Sequence, residues 1–275
     1  MKITHICLIG LFTISAISAC KQKESSAKLG PILPDEIKSH IAVLADDSLQ
    51  GRRPFTIGET KTINYIATEL TNAGVEPGNG DSYIQEVPMM EVTTTPSENM
   101  EISGGKQKLN FKAVKDFVAF SRRAQDTIQI KNSPVVFAGY GIVAPEFKWN
   151  DYKDLDVKGK TVVVLISDPG FKSKDKTVFR GDTMTYYGRW TYKYEEAARQ
   201  GAAAVIIVHQ TEPASYGWSV ITNSNTGARL YLQAKEKYVS RCKLEGWMTE
   251  EAATKLLANA GITGDIREYA GKKDF

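Results

Sequence analysis

Two apolar runs dominate the pattern of the chain, Thr161–Ser167 and Ala203–His209. Both are rich in β-branched residues and bounded by Gly or Asp-Pro, which predicts strands buried on both faces. Between them, Trp190–Gln200 carries apolar positions at helical spacing and stops at Gly201, a residue suited to end a helix. The stretch predicts a strand–loop–helix–strand unit. Upstream, Pro34 and Asp35 open a helix whose apolar positions are Ile37, Ile41 and Leu44. A second helix runs from Gly58 to Ala73, with Ile63, Ile66, Ala67 and Leu70 on one side and Gly74 as its stop. Tyr83–Val92 alternates as a strand bent at Pro88. Short β-prone pieces follow at Met100–Ser103, Lys108–Phe111, Phe117–Phe120, Ile128–Ile130 and Val135–Tyr140, with Gly104-Gly105 as a hairpin turn. Trp218–Ile221 reads as one more strand. Thr249 then caps a helix with Glu250 and Glu251 at its positive end and Ala253, Leu256 and Leu257 on its apolar face. Gly261 stops it, and 265–270 starts another turn.

Length and charge narrow the function classes. The 275 residues allow one large domain or two small ones, and 42% hydrophobic with 24% charged residues is a globular composition. A formal net charge of +3 excludes a nucleic-acid footprint, and the densest basic group, Lys172, Lys174 and Lys176, reads as a solvated loop. At the N-terminus, Lys2 precedes an apolar stretch from Ile6 to Ile17, followed by Ile17-Ser18-Ala19-Cys20. The stretch is too short for a good membrane span, and the small residues before Cys20 resemble the lipobox of bacterial lipoproteins. That resemblance implies cleavage after Ala19, a lipid on Cys20 and an anchor in the bacterial cell envelope. Residues 21–27 then form a polar tether. Of the three cysteines, Cys7 leaves with the signal and Cys20 carries lipid, so Cys242 is left as an inert thiol without a disulfide partner.

Candidate chemistry is sparse. His40 and His209 have no local metal-ligand spacing, although His209 ends a strand. Asp168 follows a buried strand, where enzymes of this class often hold a reactive group, but Asp-Pro is also an ordinary turn former. Gly139-Tyr140-Gly141 is an incomplete dinucleotide fingerprint. Phe179, Tyr186, Tyr187, Trp190, Tyr192 and Tyr194 fall within sixteen residues, interleaved with Arg180 and Arg189. Such a cluster serves either as an interdomain wall or as a substrate-facing surface, for which Tyr187, Arg189 and Trp190 are the candidates together with Arg52 in its paired-arginine loop. No residue is assigned a catalytic or metal-binding role.

Several longer motifs resemble the protease-associated domain of bacterial zinc exopeptidases in the aminopeptidase and carboxypeptidase Q-like family. They are Gly139–Pro145, Trp149-Asn150-Asp151-Tyr152, 155–160, 167–171, Met184–Lys193 and Glu195–Ala198 followed by Gly201-Ala202. The likeness continues upstream through Leu44–Asp47, Gly51-Arg52 and the Tyr65–Gly74 helix, and downstream through Gly246-Trp247-Met248. It implies an α/β fold in which a strand-rich protease-associated domain is inserted into an incomplete α/β zinc-peptidase domain. The implied divisions are a signal peptide at 1–19, a tether at 20–33, the first part of the peptidase-type domain at 34–115, the inserted domain at 116–240 and a return to the peptidase-type domain at 241–275. In that family the two zinc ions and the general-base Glu come after the insert, so the resemblance assigns none of them to residues of this chain. It implies a peptide substrate for the complete protein, with this segment shaping or covering substrate access. The alternative is a standalone lipoprotein that docks peptides or proteins through the same domain.

Overall fold

Helical periodicity at Ile37 and Ile41 is realised as Pro34–Leu44 (α1), with Pro34 in its first turn. The structure, a computed structural model, describes residues 30–171, 173 and 175–271. The signal peptide, Cys20, most of the tether, Lys172 and Lys174 lie outside the described residues. Among those described, no helix is long and apolar enough to cross a membrane.

The chain divides into two compact units between Gln85 and Glu86. In the first, α1 is followed by a short 3-10 segment at Asp47–Arg52, where the Asp46 carboxylate accepts from Ser48 N at 2.8 Å. Ile57–Asn72 (α2) comes next. Gly58 meets this segment closely: a Cβ there would stand 2.1 Å from Leu49 O, so only glycine fits. His40 Nδ1 and Tyr65 Oη, 2.7 Å apart, join α1 to α2.

The second unit begins with Met89–Val92 (β1), Asn99–Ile102 (β2), Leu109–Lys112 (β3) and Phe117–Phe120 (β4). Val135–Phe137 (β5), Val143–Ala144 (β6), Trp149–Asn150 (β7) and Thr161–Leu165 (β8) follow. Then come Trp190–Arg199 (α3), Ala204–His209 (β9), Thr211–Ala214 (α4), Trp218–Asn225 (α5) and Arg229–Leu232 (β10). Leu244–Thr249 (β11), Glu250–Asn259 (α6) and Ile266–Ala270 (α7) complete it. The two apolar runs are the adjacent parallel strands β8 and β9, paired Val163 to Ile206. They lie in a five-stranded sheet ordered β4-β11-β9-β8-β5, in which only β4 is antiparallel. Alternate residues feed two cores, as the two-residue period of a strand requires. Val163, Leu165, Ile206, Val208 and Met248 face α6 and α7, and Val162, Val164, Val205, Ile207 and Trp247 face α3 and α5. The fold is thus α/β, with a sheet covered on both faces.

Three expectations change. Tyr83–Val92 is a strand only over β1, which pairs with β10. Ile128–Ile130 forms no strand. Trp218–Ile221 is the first half of α5, with Ile221 buried: a short apolar run fits either period, and packing against β4 and the rest of this face selects the helix. The β2–β3 hairpin turns near Gly104-Gly105 as expected, in register Met100 to Phe111. Thr249 Oγ1 accepts from Ala252 N, which makes it the cap of α6. β11, which follows the expected 240/241 division, is bonded to β9 on one side and β4 on the other. The hairpin before 115 likewise packs into this unit, with Phe111 in the core and Gln107 N bonded to Asn259 Oδ1 at 2.9 Å.

Candidate functional site

Four parallel strands, β5, β8, β9 and β11, end on one edge of the sheet. In open parallel sheets that carboxyl edge is where ligands bind. Three side chains that sequence reasoning gave no chemical role hold its loops together. Lys193 is fully buried, and its Nζ donates to Tyr140 O at 2.6 Å and Ser167 O at 2.8 Å. Asp151 accepts from Ile142 N at 2.9 Å and from Trp149 Nε1 at 2.8 Å. Arg267 donates to Ile166 O at 3.2 Å and lies over the rings of Tyr140 and Phe171.

Burial pushes the Asp151 carboxyl up to about 7, opposed by its backbone bond to Ile142 and by the Lys193 charge. Burial likewise pushes the Lys193 ammonium down to about 7, opposed by the charges of Asp151 and Asp168. Both bonds to Asp151 come from N–H donors, as suits a carboxylate, and both from Lys193 go to carbonyl oxygens, which its N–H groups satisfy. One sign was available in the sequence: Lys193 sits one turn before Ala197 on the buried side of α3.

The residues singled out from the sequence are distributed. Asp168 is buried and closes the loop it begins, accepting from Gly170 N at 3.0 Å, Thr185 N at 2.9 Å and Thr185 Oγ1 at 2.7 Å. His209 lies among Tyr216, Trp218 and Trp247, and its Nε2 donates to Tyr216 O at 3.0 Å. Burial lowers its pKa, so the ring stays neutral. Burial also pushes the Cys242 thiol up to about 12, which keeps it protonated and unreactive at neutral pH.

The aromatic cluster splits. Tyr187 packs with Phe147, Phe179 and Tyr192, and its hydroxyl donates to Glu146 Oε1 at 2.6 Å, which holds the phenol up at about 12. Trp190 packs on the other core against Tyr194, and Arg189 is exposed at the start of α3. Arg52, in the first unit, is exposed and donates to Leu44 O. Phe179 is almost wholly buried, so packing claims much of this cluster.

At the ends of β9 and β11 the edge opens into a cleft of ≈ 600 Å³. Gln210, Glu212, Glu250 and Thr254 line it together with Phe171 and Arg267. Among the described residues, no three His, Cys, Asp or Glu side chains are grouped to hold a metal ion. Of the described histidines, His209 is bonded to Tyr216 O and His40, in the first unit, to Tyr65 Oη.

Residues 131–238 match the family model of the PA domain. The match begins just before β5 and ends after β10. Among solved structures, an aminopeptidase from Aneurinibacillus sp. strain AM-1 is similar with a TM-score of 0.37 and 20% identity, over 82% of this chain and 40% of that one. This chain therefore spans 40% of that enzyme's length. A comparison with curated proteins finds no match.

Proposed function

We propose that this chain is the front part of a lipid-anchored, zinc-dependent aminopeptidase-like protein of the bacterial cell envelope. Its PA domain shapes or covers the approach of peptides to a catalytic domain completed by further sequence. The observation that carries this reading is the PA domain match over 131–238, flanked on both sides by the motifs that resemble zinc exopeptidases. Two zinc ions would supply the chemistry of the complete protein, by activating water and polarising the peptide carbonyl. We assign no ligand for them to this chain. Its own residues give the domain a fixed edge: Lys193 and Arg267 tie the loops after β5 and β8 to the helices.

Residues 20–275 alone are expected to release no product from aminoacyl-anilides with added zinc. The product of an open reading frame continuing past codon 275 is expected to release it and to lose the activity to a chelator. Zinc-dependent turnover by residues 20–275 alone would refute the proposed division of labour, as would a stop codon directly after Phe275. The anchor has its own check. Cys20→Ser is expected to move the protein from the membrane fraction to the soluble fraction and to abolish incorporation of labelled palmitate. Unchanged labelling in that variant excludes Cys20 as the lipid site.

A further inference from the structure

The cleft at the ends of β9 and β11 contains an acceptor without a donor. Gln210 is 7% exposed, and its Nε2 donates to Glu250 Oε1. That bond fixes the amide, since the reversed orientation would set its oxygen against a carboxylate. Gln210 Oε1 is buried and has no hydrogen-bond partner. An acceptor in that position costs free energy until a donor reaches it. Among the described residues, Glu250 and Asp265 line the cleft, with Arg267 beside them. Arg267 is already engaged with Ile166 O and two aromatic rings. The amides at the start of α6 do not turn the cleft toward anions, because Thr249 caps the helix and Glu250 and Glu251 stand in its first turn. The place is also the one at which parallel sheets bind ligands.

We propose that this cleft binds an ammonium or guanidinium group of a peptide, held by the Glu250 carboxylate and the Gln210 Oε1 acceptor. A charged N–H donor satisfies both at once, whereas a carboxylate or phosphate would face carboxylates and an unmatched acceptor. The site rests on the cleft alone and stands or falls independently of the peptidase reading.

Isothermal titration of the full chain in mild detergent at low salt tests it. Acetyl-Ala-Lys-Ala-amide is the first probe, and acetyl-Ala-norleucine-Ala-amide controls for the apolar stem. Ala-Ala-Ala-amide tests a free chain terminus, and calcium chloride tests a metal. The lysine peptide is expected to bind with a Kd on the order of 1 mM, and the norleucine peptide at least about tenfold more weakly. Raising salt should weaken the lysine complex. Glu250→Gln keeps an acceptor for Gln210 Nε2 and is expected to weaken binding about tenfold, as loss of a charged partner does. Gln210→Leu removes the orphan acceptor and is expected to weaken it severalfold. Binding of the free terminus in place of the lysine side chain would identify the source of the ammonium and uphold the site. Equal binding of lysine and norleucine peptides would overturn it. Indifference to Glu250→Gln, or binding of calcium with none of either peptide amine, would overturn it too.

Discussion

A chain ending at Ser240 is expected not to fold its second unit. The PA domain match stops at residue 238, and a boundary there looks natural from sequence. The sheet continues past it. β11 lies between β9 and β4 and is hydrogen-bonded to both along its length. Removing it strands two rows of backbone donors and acceptors and exposes β9, a strand whose residues are all buried. It also removes Trp247 and Met248 from the two cores, at about 1.5–3 kcal/mol for each large apolar side chain. Leu256, Leu257 and Ile266 go with α6 and α7. Against a total stability on the order of 5–15 kcal/mol, such losses are not survivable. Gly246 shows how closely β11 fits: a Cβ there would stand 2.6 Å from Val118 O. Circular dichroism and limited proteolysis of chains ending at Ser240 and at Gly271 make the test. Cooperative urea unfolding of the shorter chain, with a midpoint near that of the longer one, would show that β11 is dispensable.

Replacing Lys193 with Met is expected to destabilise the second unit by about 2–5 kcal/mol, because two buried carbonyl oxygens lose their donor at about 1–3 kcal/mol each. The methionine fills much of the space, so the loss is mainly electrostatic. Tyr140 O and Ser167 O lose their donor, and Asp151 loses the cation that opposes its burial. The pH dependence distinguishes this from a packing defect. The folded carboxyl of Asp151 already lies above its ordinary 3.8, and without Lys193 it rises further. A carboxyl raised in the folded state favours that state when protonated. Its contribution is therefore present at low pH and lost as pH climbs from about 4 through the folded pKa. The deficit of Lys193→Met should be smaller at pH 5 than at pH 8, and Lys193→Met with Asp151→Asn should recover part of it. Urea unfolding followed by tryptophan fluorescence gives both numbers. A deficit independent of pH and unrelieved by the second substitution would refute the electrostatic account.

The β-branched composition of β8 and β9, with glycine and Asp-Pro at their limits, makes them legible as buried strands from the sequence alone. The same holds for α6, whose cap, acidic first turn and apolar face are all local. Local chemistry also marks Asp168 as a turn former, and it bonds within its own loop. β11 is not legible in this way. Leu244–Thr249 contains Gly246 and few β-branched residues, so its extended form comes from two neighbouring strands and not from its own preferences. Trp218–Ile221 misleads for the converse reason, being too short for its period to decide between strand and helix. Nor can the edge be read from sequence. Lys193, Asp151, Arg267, Gln210 and Glu250 come from separate elements and meet because four parallel strands end together. Local periodicity and turn chemistry determined β8, β9 and α6. Strand order decided the meeting of its polar side chains, because convergence depends on pairing between distant segments, which no local pattern encodes.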